Sequence, residues 1–339
     1  MSSRTLRRLA SSLFFLPEAV EPIQPERLPG GSEEPLRPGR PFRVVSWNIQ
    51  FGAGRRGWFF YDGGPDVRVT APEVEDALAG MARILCSLRP DIVLLQEVDR
   101  NSTRTGHVDQ HARFATSLAP EGLVYSASTP YFRVPWVPVP PGQPLGSVDM
   151  HLSAFSRFPL QTGTRTALSP LSEPLYRRVF NLRRALATVC VAGDAGPALT
   201  LFHTHLSAFS RGDGTLGRQV ETVLNAVTDR HPAGTPALLV GDFNSLPPGD
   251  HPSRLGQASV LYAEAHTPIQ PLWDALDVAF PRTLGPESHT YVPWGSNRPD
   301  RTIDYAFSQG LAVHASAVDR AGAAVSDHLP IVLELEIPA

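Results

Sequence analysis

The chain has 339 residues, 42% hydrophobic and 19% charged, the balance of a soluble globular protein large enough to bury its core without disulfides. A net charge of −3 and a pI near 6.4 argue against a protein whose main task is gripping a nucleic-acid backbone, although a local basic strip is still compatible with a nuclease. No run of 18 apolar residues occurs, so no membrane-spanning helix is expected, and Cys86 and Cys190 are too far apart for a disulfide framework and read as buried free thiols.

Residues 1–41 contain seven prolines and no sustained periodicity, the pattern of a flexible or wrapping tail. Within it, Arg4, Arg7 and Arg8 precede the apolar stretch Leu9 to Leu16, a faint signal-peptide outline. Ser11 and Ser12 break that stretch and no small-residue cleavage site follows, so the chain is read as cytoplasmic, with secretion the alternative. The catalytic domain is expected over 42–337. Apolar runs of strand length recur there at 42–47, 91–95, 185–192, 198–204, 236–240, 302–307 and 330–336. Between them, residues 71–88 carry Val74, Ala77, Leu78, Met81, Leu85 and Leu88 on one helical face, opened by a capping box from Thr70 to Glu73. A second helix is expected over 215–229. Strands and helices mixed in this way predict sheets covered by helices, an α/β or α+β layered domain. Six prolines between Pro130 and Pro144 argue against a central strand or helix in 129–146, which reads instead as an apolar projecting loop or edge ribbon, packed on its own domain or else offering a surface to lipid or an apolar substrate group.

Five apolar runs end in polar residues. Asn48 closes Val44-Val45-Ser46-Trp47, and Gln96 and Glu97 close Asp91-Ile92-Val93-Leu94-Leu95. A carboxylate delivered by a buried strand is costly unless solvated, paired or bound to metal, and Mg²⁺ needs only one or two of them. In Thr200-Leu201-Phe202-His203-Thr204-His205, alternation puts both histidines on one face, with His205 at the strand end as the functional candidate. Leu238-Leu239-Val240-Gly241 presents Asp242 and Asn244, with Gly241 permitting close approach of a phosphate. Finally, Arg301-Thr302-Ile303-Asp304-Tyr305 and Ser326-Asp327-His328-Leu329-Pro330 offer an Asp and a His that could pair and fix an imidazole tautomer. The inventory holds carboxylates, amides and imidazoles but no nucleophile elbow and no Gly-rich phosphate loop, which suits metal-assisted attack of water on phosphorus.

The ordered series WN, QE, THL, GDFN, RTIDY and SDHLP resembles the endonuclease/exonuclease/phosphatase superfamily over about 42–337. The resemblance implies a four-layered α/β/β/α sandwich with two central mixed β-sheets and the site at one edge. It further implies that Asn48, Glu97 and Asp327 hold or neighbour Mg²⁺ (Mn²⁺ as a substitute), with Glu97 the principal ligand. By the same resemblance His205 contacts the scissile phosphate or helps the leaving group, Asp242 and Asn244 position the water and phosphate, and Asp304 orients His328. Either His328 or Asp242 then takes the water's proton. Two departures bear on substrate: Val98 and Asp99 follow Glu97 where abasic endonucleases place Lys, and Asn297-Arg298-Pro299 precedes Asp300-Arg301 where inositol phosphatases place Trp-Cys. Arg55, Arg56 and Arg211 are candidate phosphate contacts on rim loops. The reading favoured is a phosphodiesterase or phosphatase acting on a lipid-like or small phosphoester. DNA is the alternative substrate, an inactive binding scaffold is the alternative of another class, and no protein partner is expected.

Overall fold

A computed structural model describes residues 18–174, 182–208, 212–229, 234–262 and 266–339. Its strands in chain order are β1 (Val20–Ile23), β2 (Glu26–Arg27), β3 (Phe42–Asn48), β4 (Ile92–Asp99), β5 (Tyr125–Val137), β6 (Gly146–Ser156), β7 (Gly163–Ala167), β8 (Ala185–Ala192), β9 (Pro197–His205), β10 (Ala237–Asp242), β11 (Asp277–Phe280), β12 (Asp304–Gln309), β13 (Ala312–Val318) and β14 (Ile331–Glu336). The α-helices among the described residues are α1 (Ala71–Leu88), α2 (Gln110–Leu118), α3 (Thr215–Asp229) and α4 (Gln270–Ala275). One seven-stranded sheet runs β1-β7-β8-β9-β10-β12-β11 and the other β13-β14-β3-β4-β6-β5-β2. Each holds one parallel pair, β9 with β10 and β3 with β4, among antiparallel neighbours.

Side-chain alternation along each strand decides what it buries. Val44, Ile92 and Leu94 meet Leu199, Leu201, Leu238, Val240 and Ala306 in the core between the sheets. Their neighbours Val45, Trp47, Val93 and Leu95 turn outward under Val74, Leu78, Met81 and Leu85 of α1 and Phe114 and Leu118 of α2. On the other sheet Phe202, Leu239, Tyr305 and Phe307 pack beneath Leu216, Val220 and Val223 of α3 and Leu272 of α4. The result is the four-layered α/β/β/α sandwich. α1 begins with the expected capping box, Glu73 accepting from both the backbone N–H and the hydroxyl of Thr70. No helix among the described residues is long and apolar enough to cross a membrane.

Two expectations resolve to one of their alternatives, and a third is corrected. The proline-rich segment is the edge ribbon and not the projecting loop: through Val137 it is strand, paired with β6. It tolerates Pro130 and Pro135 because β2 covers only Tyr125 and Ser126, leaving the rest at the sheet edge, where two register breaks absorb the missing N–H groups. Tyr131 and Phe132 are buried there and only Trp136 is largely exposed. In the tail, β1 pairs with β7, β2 pairs with β5, and Leu36 is buried, so 18–41 lie along both sheets, while the basic-apolar stretch before residue 18 lies outside the described residues. The two cysteines are free but only half-buried.

His111 of α2 stacks on Phe155 and holds its Nδ1 2.9 Å from Ser153 Oγ. Burial, then Arg100 and His151, pushes its pKa down to about 3. The folded pKa lies below that of the unfolded chain, so protonation favours unfolding. His111's contribution is intact above pH 6.5 and is lost as pH falls toward 3, by about 1.4 kcal/mol per pH unit. His111→Gln should therefore shrink the stability difference between pH 7 and pH 5 by about 2 kcal/mol in urea denaturation. An equal pH dependence in both proteins would refute this role.

Candidate active site

The site forms where strand ends from both sheets meet. On β10 the core-facing series Leu238, Val240 ends in Asp242; on β9 Leu199, Leu201, His203 ends in His205; on β12 Ala306 shares its face with Asp304. Register places Asp242 opposite His205 on one side and Asp304 on the other. On the facing sheet, Asn48 ends β3 beside Gln96 of β4.

Glu97 reaches the site by a break in alternation. Gln96 faces the inter-sheet core, its amide 2.6 Å from His203 Nε2, so a regular strand would send Glu97 to the helix side. Instead β4 spends one extra residue between Leu95 and Val98 against β6, and Glu97 takes φ +59°. This bulge re-aims the carboxylate toward Asn48. Asn48 donates through Nδ2 to Glu97 Oε1 at 3.2 Å and to Asp242 Oδ2 at 3.0 Å, while its Oδ1 accepts the Gln50 N–H at 3.0 Å. Two carboxylates demand the donor end of the amide and a peptide N–H demands the acceptor end. Asn48 therefore joins the two carboxylates.

Around Asp242, Oδ1 accepts the Asn244 N–H at 2.9 Å, and His205 Nε2 and His328 Nε2 lie 3.3 and 3.6 Å from Oδ2. Asn244 is not extended but turns back with φ +48°, bringing Nδ2 3.1 Å from His205 Nε2. The opposite ring nitrogen of His205 is 3.1 Å from the hydroxyl of Tyr131. His328 Nδ1 sits 2.9 Å from Asp304 Oδ2, the pairing foreseen in the sequence. Its backbone is pinned by Trp47 Nε1 to its carbonyl and by Ser326, whose hydroxyl donates to the Asn48 carbonyl. Gly241 serves the sheet: a Cβ there would lie 2.0 Å from the Thr204 carbonyl oxygen of β9, so its reason is strand packing and not phosphate access.

Burial dominates the electrostatics. It pushes Asp242 up to about 7, with Asp304 adding to the rise and His328 opposing it. Asp327 is likewise pushed up to about 7 by burial, then by Glu97 and Asp62, against the pull of His328. Burial alone would depress His328, but Asp304 and Asp242 outweigh it and hold the imidazole well above its ordinary value. Acidic groups thus outnumber nearby cations in a dry site of hard oxygen donors without a thiolate, which fits a divalent cation of the magnesium or manganese kind. Of the expected ligands, Glu97 is tied to Asn48 by a hydrogen bond, and Asp327 lies near enough for the charge of Glu97 to act on it. Among the described residues the group whose ligand atoms converge, within 4.8 Å of one another, is Asp242, Asp304 and His328, which could hold a metal ion.

Several expected phosphate contacts are engaged elsewhere. Arg55 donates to the carbonyls of Val292, Pro293 and Ser296 and lies over Trp294, clamping one rim loop to another. Arg56 pairs with Asp76. Arg211 lies outside the described residues. Asp99, read from sequence as an acidic neighbour of substrate, is fully buried, with its carboxylate held by Arg104 at 2.8 and 3.0 Å. The missing Lys after Glu97 also loses its meaning, since the chain contains no lysine anywhere. Sequence reasoning passed over Tyr131 and Arg184, because neither ends a motif; Tyr131 lies in the proline-rich segment.

A layered sandwich whose strand ends gather carboxylates, amides and a carboxylate-bound imidazole is built for hydrolysis by water. Residues 45–328 match the endonuclease/exonuclease/phosphatase family, and the chain belongs to it; it is a phosphoester hydrolase of a family that typically uses a divalent metal. Among solved structures it is similar to an endonuclease/exonuclease/phosphatase from Beutenbergia cavernae DSM 12333, at 26% identity and TM-score 0.63 over 88% of this chain and 72% of that one. The human Nocturnin catalytic domain with bound sulfate is similar at 18% identity and TM-score 0.55, covering 93% of this chain and 96% of that one. ANGEL2, a 2′,3′-cyclic phosphatase solved with adenosine-2′,3′-vanadate, is similar at 16% identity and TM-score 0.52, over 94% and 99% of the two chains. No curated protein matches.

Asp304→Asn keeps the shape of the pair but removes the charge that fixes the His328 tautomer. Turnover should fall by about 10²–10⁴ with the melting temperature nearly unchanged. Wild-type turnover in a folded Asp304→Asn protein would show that the pair has no part in the chemistry.

Proposed function

We propose that the chain is an Mg²⁺-dependent phosphodiesterase or phosphatase in which water attacks phosphorus directly, acting on a small or lipid-like phosphoester. The observation that carries this reading is the meeting of Glu97, Asn48 and Asp242 across the two sheets beside the Asp304–His328 pair. Glu97 and Asp327 would hold the metal, with Asn48 either keeping Glu97 in place or adding its own oxygen. When bound, Mg²⁺ supplies positive charge to the phosphoryl oxygens.

The remaining steps belong to side chains. Asp242, its two oxygens set by Asn244 and Asn48, accepts a proton from the attacking water as the new oxygen–phosphorus bond forms. His328, held through Nδ1 by Asp304, presents Nε2–H to the charge that builds on the phosphoryl group. The bond from phosphorus to the ester oxygen breaks, and that oxygen leaves with a proton drawn from solvent, while His205 and Asn244 beside Asp242 offer it hydrogen bonds.

A small or lipid-like substrate is supported by Trp294 on a rim loop and Trp58 in the segment after Asn48, both exposed, and by a cavity of about 230 Å³ that Asn244, Tyr262, His251 and His266 line. Arg55, Arg56 and Arg301 are each tied to protein acceptors, which weakens the case for a DNA track. The small anions bound in the similar Nocturnin and ANGEL2 structures, sulfate and a nucleoside vanadate, agree with a phosphate-sized centre.

A panel of lipid and soluble phosphoesters, assayed with Mg²⁺ and with EDTA, tests this. Release of phosphate or a phosphorylated headgroup is expected only with metal, and Glu97→Gln and His328→Ala should each lower it by at least about 10³. Nicking of supercoiled plasmid at low salt, with the panel untouched, would replace the substrate reading by a nuclease.

A further inference from the structure

Arg184 immediately precedes β8, at the sheet end that carries His205, because Leu186 pairs with Thr204 across the antiparallel β8–β9 ladder. Its side chain is nine-tenths buried, at 6% exposure, and its Nε and Nη1 have no hydrogen-bond partner. The guanidinium lies over the ring of Tyr131, 5.4 Å from its centroid, and the Tyr131 hydroxyl is 3.1 Å from His205 Nδ1. Glu97 and Asp242 are close enough for their charges to act on it, and burial pulls its pKa down. Other arginines near the site have protein acceptors: Arg104 has Asp99, Arg301 has Asp300, and Arg55 has three carbonyls.

A buried guanidinium with idle donors is costly, and a fold retains one where something else completes it. Its neighbours are acidic, yet none takes the idle N–H groups. What suits them is an acceptor with several oxygens and negative charge placed among Tyr131, His205 and Asp242, where the phosphoester reading puts the reacting phosphorus. Tyr131 serves both ends, supporting the guanidinium with its ring and His205 with its hydroxyl.

We propose that Arg184 is a phosphate-binding residue of this active site, donating from Nε and Nη1 to non-bridging phosphoryl oxygens, with Tyr131 as the positioning residue that couples it to His205. The assignment rests on the phosphoester reading above. Placed there, Arg184 carries part of the negative charge on the phosphoryl group, a role a neutral side chain cannot fill.

Calorimetric titration of the full chain with inorganic phosphate, with and without Mg²⁺, tests it. Arg184→Met should weaken phosphate binding by about tenfold or more, and Arg184→Lys by less. Turnover of a soluble diester should fall about 100-fold in Arg184→Met. Without phosphate, Arg184→Met should melt at or above the wild-type temperature, since an unpaired buried charge has been removed. Phosphate affinity unchanged in Arg184→Met, or absent in the wild type, would overturn the proposal. So would a lowered melting temperature reproduced by Tyr131→Phe, the mark of a purely structural arginine. If the wild type binds phosphate through Arg184 but hydrolyses nothing in the panel, the hydrolase reading fails and the anion site stands; hydrolysis and phosphate binding at wild-type strength in Arg184→Met removes Arg184 alone.

Discussion

One hydrogen bond, Asn48 Nδ2 to Asp242 Oδ2, crosses from one sheet to the other at the point where both run out of strand. Much of the site hangs from it. Asp242 is flanked in its own sheet by His205 and Asp304 through ladder register, while Asn48 holds Glu97 from the facing sheet. The aliphatic core between the sheets sets how far apart these strand ends lie. A close-packed interior deforms little, so the spacing of the polar groups is inherited from the packing of Val44, Leu94, Leu201 and Val240 behind them.

The price of this arrangement is buried charge. Asp242, Asp304, Asp327 and His328 all sit in the protein interior, and burial drives the carboxyls of Asp242 and Asp327 far from their ordinary range. The Asp304–His328 pair and the Asn48 amide offset part of that cost; the rest is the kind of imbalance that a cation and an anionic substrate relieve. The bends at Glu97 and Asn244, both with positive φ, belong to the same compromise, since regular strand would aim these side chains elsewhere.

Legibility followed burial pattern. The runs that became β3, β4, β9, β10 and β12 are largely buried on both faces, β8 and β14 bury one face and half-expose the other, and α1 and α3 carry a full helical stripe. β5 was left between loop and edge ribbon because its prolines forbid a central strand but not an edge with bulges. β13, built on small and half-exposed residues (AVHASAV), and α2, only nine residues long, leave too little periodic signal. At the site, residues that close a strand were visible because a polar group after an apolar run breaks the pattern. Arg184 precedes its strand and Tyr131 sits within one, so neither interrupts anything.

The sequence alone therefore determined which elements end in chemistry and, by alternation, that His203 and His205 share a face. It could not decide direction once alternation failed, as at the Glu97 bulge, nor distinguish a glycine needed by a phosphate from one needed by the Thr204 carbonyl. It also misassigned Asp99, a carboxylate that looks outward in a list of residues and is in fact locked to Arg104 in the interior. Those outcomes depend on which strand lies beside which and how closely, quantities set by long-range pairing and core packing and not carried by any local run of residues.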